Sequence, residues 1–541
     1  MVDSSINKSD QSYDALVIGA GFSGLYQLLS LRDRLGLKVK VFEAGGGVGG
    51  TWYWNRYPGA RCDSESHSYG YAFSEELMRE WEWSERYPQP PEILRYLNFV
   101  ADRFDLKRNI QFNTRVSAAH YDEEANIWRV TTQSGEAYTT QFLVSAVGCL
   151  STANVPKIPG LDGFKGRWYH SGQWPHEGVD FRGKRVGQIG TGSTGIQAAP
   201  VIAETAAHLT VFQRTANYSV PARNAPLTAE FRQWVKENTD EIRRVMHSTP
   251  NGHPFIISER LALEVPPEER LAIYEAAWEK GGLQFRATFR DLVVNKEAND
   301  TASVFLKNKI REIVKDPSTA EILADIDHPY AAKRPPIDTN YFETFNRQNV
   351  TLVDIKAAPI EAITPTGIRT KNSEYPLDVI VFATGFDAMT GALLRMDIRG
   401  RNGLTMNEAW SAGPKNYLGL QVAGFPNLFT ITGPGSPSVL CNMPVAIEQH
   451  VDWITDCIAH MRDRGLARIE TTEPVMNSWI DRVNAAAAAT VLPLAKHSWY
   501  LGANVPGKPR VFMPYAGGMA RYRAICADVV AAGYEGFVLR R

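Results

Sequence analysis

Two glycine triads of the form GxGxxG constrain this chain more than any other feature, because each stands between an apolar, β-prone run and an amphipathic stretch. The first is Gly19, Gly21 and Gly24, and the second is Gly190, Gly192 and Gly195. At a strand-to-helix junction such glycines let the backbone turn sharply and let a pyrophosphate approach the helix N-terminus. Residues 14–18 read as a strand, an amphipathic segment runs to about Leu35, and residues 39–42 return as a strand. A second βαβ unit starts at Lys184, is helical over residues 196–207 and returns in LTVFQR, ending at Arg214. The fold class that follows is α/β, with two Rossmann-like dinucleotide-binding domains.

At 541 residues the chain is too long for one hydrophobic core. Residues 221–331 change to charged, helix-periodic segments such as LTAEFRQWVKENTDEIRR and ASVFLKNKIREIVKD, which predict a helical insertion. Strand-like runs return at residues 350–355 and 377–385 and in FPNLFTITGPG near Phe425. Residues 444–462 and 474–490 read as helices, and a Gly- and Pro-rich loop covers 502–509. Residues 1–12 are polar and predict a disordered tail. With no apolar run of signal-peptide or membrane-spanning type, a cytoplasmic location is expected.

Charge and cysteine usage remove several function classes. Lys and Arg number 58 against 59 Asp and Glu, so neither nucleic acid nor a membrane surface is suggested as a partner, and no obligatory protein partner is evident. The five cysteines, Cys62, Cys149, Cys441, Cys457 and Cys526, are scattered without a CxxC pair. That argues against a disulfide framework, a metal site or the dithiol of a disulfide reductase.

In the first nucleotide site Ser23 lies within the glycine turn, and Glu43 ends the next strand about 20 residues on, where a carboxylate can accept from both ribose hydroxyls. Such an acid suits FAD and NAD equally. GGGVGGTWYWNRYPGARCD, residues 45–63, decides for FAD, since a second glycine turn there runs into Trp52, Tyr53, Trp54 and Tyr57, and broad aromatic surfaces suit a flat isoalloxazine. The alternative for one or two of these rings is plain core. ATGFD, residues 383–387, is a strand end followed by glycine of the kind that closes on a cofactor. In the second site Thr191, Ser193 and Thr194 offer hydroxyls beside the phosphates, and Arg214 with Thr215 replaces the acid at the strand end. Arginine there favours a 2′-phosphate, hence NADPH.

Just before the second triad stand Phe164, Gly166, His170, Trp174 and Pro175, spaced FxGxxxHxxxWP. The chain resembles the type I Baeyer-Villiger monooxygenases in this signature and in WYWNRYPGARCDSES, GTGSTGIQ, ATGFDAMTGAL and GANVPGKPR, which look nearest the phenylacetone and steroid monooxygenase branch and are also similar to the cyclohexanone enzymes. The resemblance implies an FAD domain of residues 13–151 and 388–541, an NADP domain of residues 152–220 and 332–387, and a helical subdomain at 221–331. It implies NADPH- and O2-dependent oxidation of ketones to esters or lactones through an FAD C4a-peroxide, with sulfoxidation on the side. Arg334 would be the active-site arginine held by Asp63. Thr51, Trp52, Asp63, Tyr69, Val116 and Met443 would surround the flavin. Lys333 would join Arg214 on the 2′-phosphate, Arg334 and Trp499 would serve the nicotinamide side, and Ser438, Val439 and Leu440 would line the ketone pocket. His170 would be structural. The alternatives are a flavin N- or S-monooxygenase and a non-catalytic NADPH-sensing flavoprotein.

Overall fold

The computed structural model describes residues 11–541. Residues 1–10 of the expected tail lie outside the described residues, and Ser12 already belongs to the first strand, Ser12–Ile18.

That strand is central in an eight-stranded sheet. It pairs in parallel with Val39–Phe42 on one side and Ala137–Ser145 on the other. Beyond Ala137–Ser145 the antiparallel strands Ile127–Thr132 and Val116–Asp122 continue the sheet. These two were not legible from hydrophobic runs, because their outer face is polar and half of each strand is exposed or partly so. Three short strands complete the sheet: Ile110–Gln111 beside Val39–Phe42, and the late strands Asp397–Arg399 beside Val116–Asp122 and Leu428–Thr430 beside Ala137–Ser145.

The second sheet is five-stranded and wholly parallel, in the order Val350–Asp354, His208–Gln213, Arg185–Ile189, Val379–Phe382, Arg167–His170. Its middle strands are buried on both faces, as crossover connections require. The insertion is helical as expected, with Ala229–Glu237, Thr239–Ser248, Pro267–Lys280, Lys296–Ile313 and Pro317–Ala324. Three of these begin with capping side chains: Thr228, Asn295 and Asp316 each accept from the first turn.

Two helices hold the first site in place. Phe22–Leu29 is buried along its whole length and is tied to Met443–Asp463 by Tyr26 Oη donating to Asp452 Oδ1 (2.8 Å) and Gln27 Nε2 to Thr455 Oγ1 (3.2 Å). The chain's last quarter thus returns to its first forty residues. Two large apolar cores follow the two sheets. A smaller one, including Cys149, Met389, Val439, Leu492, Tyr500 and Phe512, fills the seam between their functional ends. Among the described residues no helix is long and apolar enough to cross a membrane.

Candidate active site

The two glycine turns are built alike, and each glycine answers a different steric demand. Gly19 and Gly190 adopt φ of +105° and +111°, a region that only glycine enters readily. A Cβ at Gly24 would stand 1.8 Å from Gly19 O, and one at Gly195 2.2 Å from Gly190 O, so the third glycine lets helix and strand touch. The middle position differs. A Cβ at Gly192 would meet no atom within 4 Å, and one at Gly21 would make only ordinary contacts with the Gly49–Gly50 backbone, from 3.4 Å outward. The protein leaves space open there, where a pyrophosphate would lie against the backbone. Each first glycine also abuts a neighbouring strand end: Ala146 O for Gly19 and Ala383 O for Gly190. The ATGFD turn therefore closes on the second motif, and SAVG, residues 145–148, is its counterpart on the first.

Glu43 is buried at its strand end, with Oε2 accepting from Ala20 N (2.7 Å) and Oε1 from Gly45 N (2.6 Å). Each oxygen keeps a further lone pair for a ribose hydroxyl. Ser23 is buried in the helix and Thr191 donates to Thr215 O (2.9 Å), so both secure the turns, whereas Ser193 and Thr194 stand half-buried in the first helical turn. Arg214 is exposed just beyond His208–Gln213. Burial pushes the Lys333 ammonium below its ordinary value; Asp327 opposes this and the charge of Arg214 adds to it, which places the two cations close together. Mutual repulsion of that kind suits a pair made to hold a phosphate.

The aromatic run divides between packing and site. Tyr53 lies under the turn at residues 45–47 and its hydroxyl accepts from Gly46 N (3.0 Å), so this half-buried ring braces the turn. Tyr57 Oη donates to Gln197 Oε1 (2.8 Å) on the second-motif helix Ser193–Thr205 and thereby joins the two halves. Trp52 stands edge-on to Tyr69, ring centres 5.7 Å apart, next to the exposed Thr51. Val116 is buried two residues beyond Thr114, whose N–H donates to Glu43 O (2.8 Å). Met443 opens the helix Met443–Asp463, whose N-terminus presents partial positive charge.

Between these halves Arg334 and Asp63 form a two-pronged ion pair at 2.6 and 2.7 Å, and Arg334 Nη1 also donates to Val439 O (3.1 Å). Burial alone would raise the Asp63 pKa, but the charge and hydrogen bonds of Arg334 outweigh it and hold the carboxyl below its usual range. Burial would likewise weaken Arg334 as a cation, and Asp63 more than restores it. A small cavity of about 50 Å³ adjoins this pair, walled by His253, Arg286, Leu440 and Tyr500 among others. Burial, with the Arg334 charge, depresses His253 to about 3 and leaves it neutral; burial raises Tyr500 to about 12, which keeps its phenol protonated.

Three of these residues, His253, Arg286 and Tyr500, were not found by sequence reasoning, and no motif marks them. Of the expected pocket residues, Val439 and Leu440 line the cavity but Ser438 does not. Ser438, at φ +34°, is fully buried and its hydroxyl turns toward Met389 Sδ at 3.9 Å, so it shapes the turn instead. Trp499 packs against Tyr500, ring centres 4.5 Å apart, and it is Tyr500 that reaches the cavity.

The FxGxxxHxxxWP residues are architectural. Phe164 and Trp174 are buried in the cores on either side of the second sheet, and a Cβ at Gly166 would fall 2.3 Å from Asp378 O. Pro175 opens a turn closed by Gly178 N donating to its carbonyl (3.2 Å). His170 Nδ1 accepts from Gly172 N (3.0 Å), and burial lowers its pKa to about 4, so it is a neutral strut at the end of the edge strand.

The family model described as FMO-like, flavin-binding monooxygenase-like, matches residues 14–224. The chain is 46% identical over 533 residues to the Baeyer-Villiger monooxygenase of Pseudooceanicola batsensis, spanning 98% of this chain and 96% of that one. A solved oxidized steroid monooxygenase bound to NADP is 52% identical, with a TM-score of 0.93 over 98% of this chain and 99% of the other. OTEMO, solved in complex with FAD and NADP, is 44% identical, with a TM-score of 0.94 over 97% of this chain and 99% of that one.

Proposed function

The chain belongs to the type I Baeyer-Villiger monooxygenases, FAD-containing and NADPH-dependent, and on that premise we propose how its own residues divide the work. The reaction consumes a ketone, O2, NADPH and a proton and yields an ester or lactone, water and NADP+. FAD belongs to the unit of residues 13–151 and 388–541, NADPH to that of residues 152–220 and 332–387, and residues 221–331 form the helical part of the cavity wall.

The half-buried Arg334–Asp63 pair carries this reading, since it stands where the two glycine-motif units face each other. The bound cofactors supply reducing electrons and the activation of O2. Arg334 supplies a fixed positive charge. A guanidinium stays protonated at every working pH, and in a dry site it stabilises the oxyanion that forms as an oxygen nucleophile adds to the ketone carbon. Asp63 sets the plane and direction of the guanidinium through two charge-assisted hydrogen bonds. Neither His253 nor Tyr500 changes charge near neutral pH, so both act as dipoles and hydrogen-bonding groups rather than as proton carriers. Arg214 and Lys333 hold the 2′-phosphate, and the cleft beside Val439 and Leu440 holds the ketone. An NADPH-using enzyme of this composition suits the cytoplasm.

A panel of cyclic and open-chain ketones, amines and thioethers given to the holoenzyme with NADPH tests the assignment. Esters or lactones from the ketones support it. Oxides of the amines and thioethers with every ketone untouched would overturn it in favour of N- or S-oxygenation.

A further inference from the structure

We propose that Arg286 is a docking point for an anionic group on the substrate, so that the preferred ketone carries a carboxylate. The inference rests on the reading that the cavity beside Arg334 receives the ketone.

Two arginines face that cavity, and they differ in one respect. Arg334 is neutralised by Asp63. Arg286, in the turn Leu283–Ala287 of the helical insertion, has no hydrogen-bond or ion-pair partner among the described residues. Burial works against its charge; the phenols of Tyr330 and Tyr500 oppose that effect only as neutral groups, and Arg334 adds repulsion. A guanidinium does not escape such a position by losing its proton. Arg286 is half-buried with its unpaired guanidinium on the cavity wall, where a leucine or methionine would complete an apolar lining without a charge. The cost is offset if a ligand brings the missing anion.

The rest of the wall narrows the chemistry of that ligand. Phe255, Ile257, Leu283 and Leu492 are apolar and His253 is neutral, so the other cation on this wall is Arg334, whose guanidinium is already engaged by Asp63. The phosphates of NADPH are accounted for at the Gly190 turn and at Arg214 with Lys333. An oxidised nicotinamide ring is itself positive and would be repelled. What fits is an apolar chain with its carbonyl toward Arg334 and a carboxylate toward Arg286, held by a charge-assisted hydrogen bond.

The test compares 7-oxooctanoate with its methyl ester and with 2-octanone on the FAD-loaded enzyme, reading kcat and KM separately. The acid is expected to exceed its ester at least tenfold in kcat/KM, mainly through KM. That ratio should collapse in Arg286→Leu, persist in part in Arg286→Lys and invert in Arg286→Glu. Octanoate, which cannot react, should raise the melting temperature of the wild type and not that of Arg286→Leu. Equal efficiency for acid and ester in the wild type, or a ratio untouched by Arg286→Leu, overturns the inference while leaving the ketone reaction intact. Failure to oxidise any of the three compounds overturns the reaction assignment, and this inference with it.

Discussion

Arg334 and Asp63 lie 271 residues apart in the chain and meet edge to edge, Nη2 donating to Oδ1 at 2.6 Å and Nε to Oδ2 at 2.7 Å. The geometry uses the planar fork of arginine, which lysine lacks. Arg334→Ala and Arg334→Lys are both expected to lower ester formation by about a hundredfold or more, with flavin absorbance retained after gel filtration. Asp63→Ala removes the counter-charge of a half-buried arginine and should lower the melting temperature as well as slow the reaction. Normal turnover in Arg334→Lys would show that charge suffices and the fork is idle.

The middle and last positions of the second glycine triad separate cofactor binding from folding. Gly192→Ala adds a methyl group to empty space at ordinary φ, so the melting temperature should stay within a degree or two while the NADPH KM rises at least about tenfold. Gly195→Ala drives a Cβ against Gly190 O and should lower the melting temperature first. Steady-state kinetics with a thermal scan checks both.

Arg214→Ala and Lys333→Ala should each reduce the preference for NADPH over NADH by about tenfold or more, because one charge-assisted contact to a phosphate is lost. The efficiency with NADH should hardly move. Unchanged apparent affinities for both nucleotides in Arg214→Ala would remove the 2′-phosphate assignment.

Glu448, on the helix that carries Met443, accepts from Ala72 N (2.6 Å) and Phe73 N (3.0 Å) in a fully enclosed position. Burial raises its pKa from 4.5 to about 7, only partly opposed by those bonds. Because the folded value is the higher one, its contribution to stability is complete below the ordinary glutamate value and is lost as the pH climbs toward 7. The loss is on the order of 3 kcal/mol. Glu448→Gln keeps an acceptor for both amides and does not titrate, so its melting temperature should fall less between pH 5 and pH 8 than that of the wild type.

How much could be read before the structure follows from what each feature depends on. The glycine turns, Glu43 and Arg214 are fixed by local backbone needs at known offsets from a strand end, so sequence displays them. The likeness of SAVG at residues 145–148 to FATG at 382–385 was equally visible and marks the strand ends that flank Gly19 and Gly190. Arg334 and Asp63 were reached through family resemblance, since nothing in a 271-residue separation announces contact. The cavity wall was out of reach. His253, Arg286 and Tyr500 come from three stretches whose only shared property is meeting in space, and the inward turn of Ser438 is decided by one unusual φ.

Oxygen accounting tests the central claim most directly. The FAD-loaded enzyme is given NADPH and a ketone under O2 labelled with oxygen-18, and the product is weighed by mass spectrometry. One labelled atom in each ester or lactone, with one NADPH consumed per product, is the predicted result. Consumption of NADPH with all the label recovered as hydrogen peroxide, and the ketone unchanged, would contradict it.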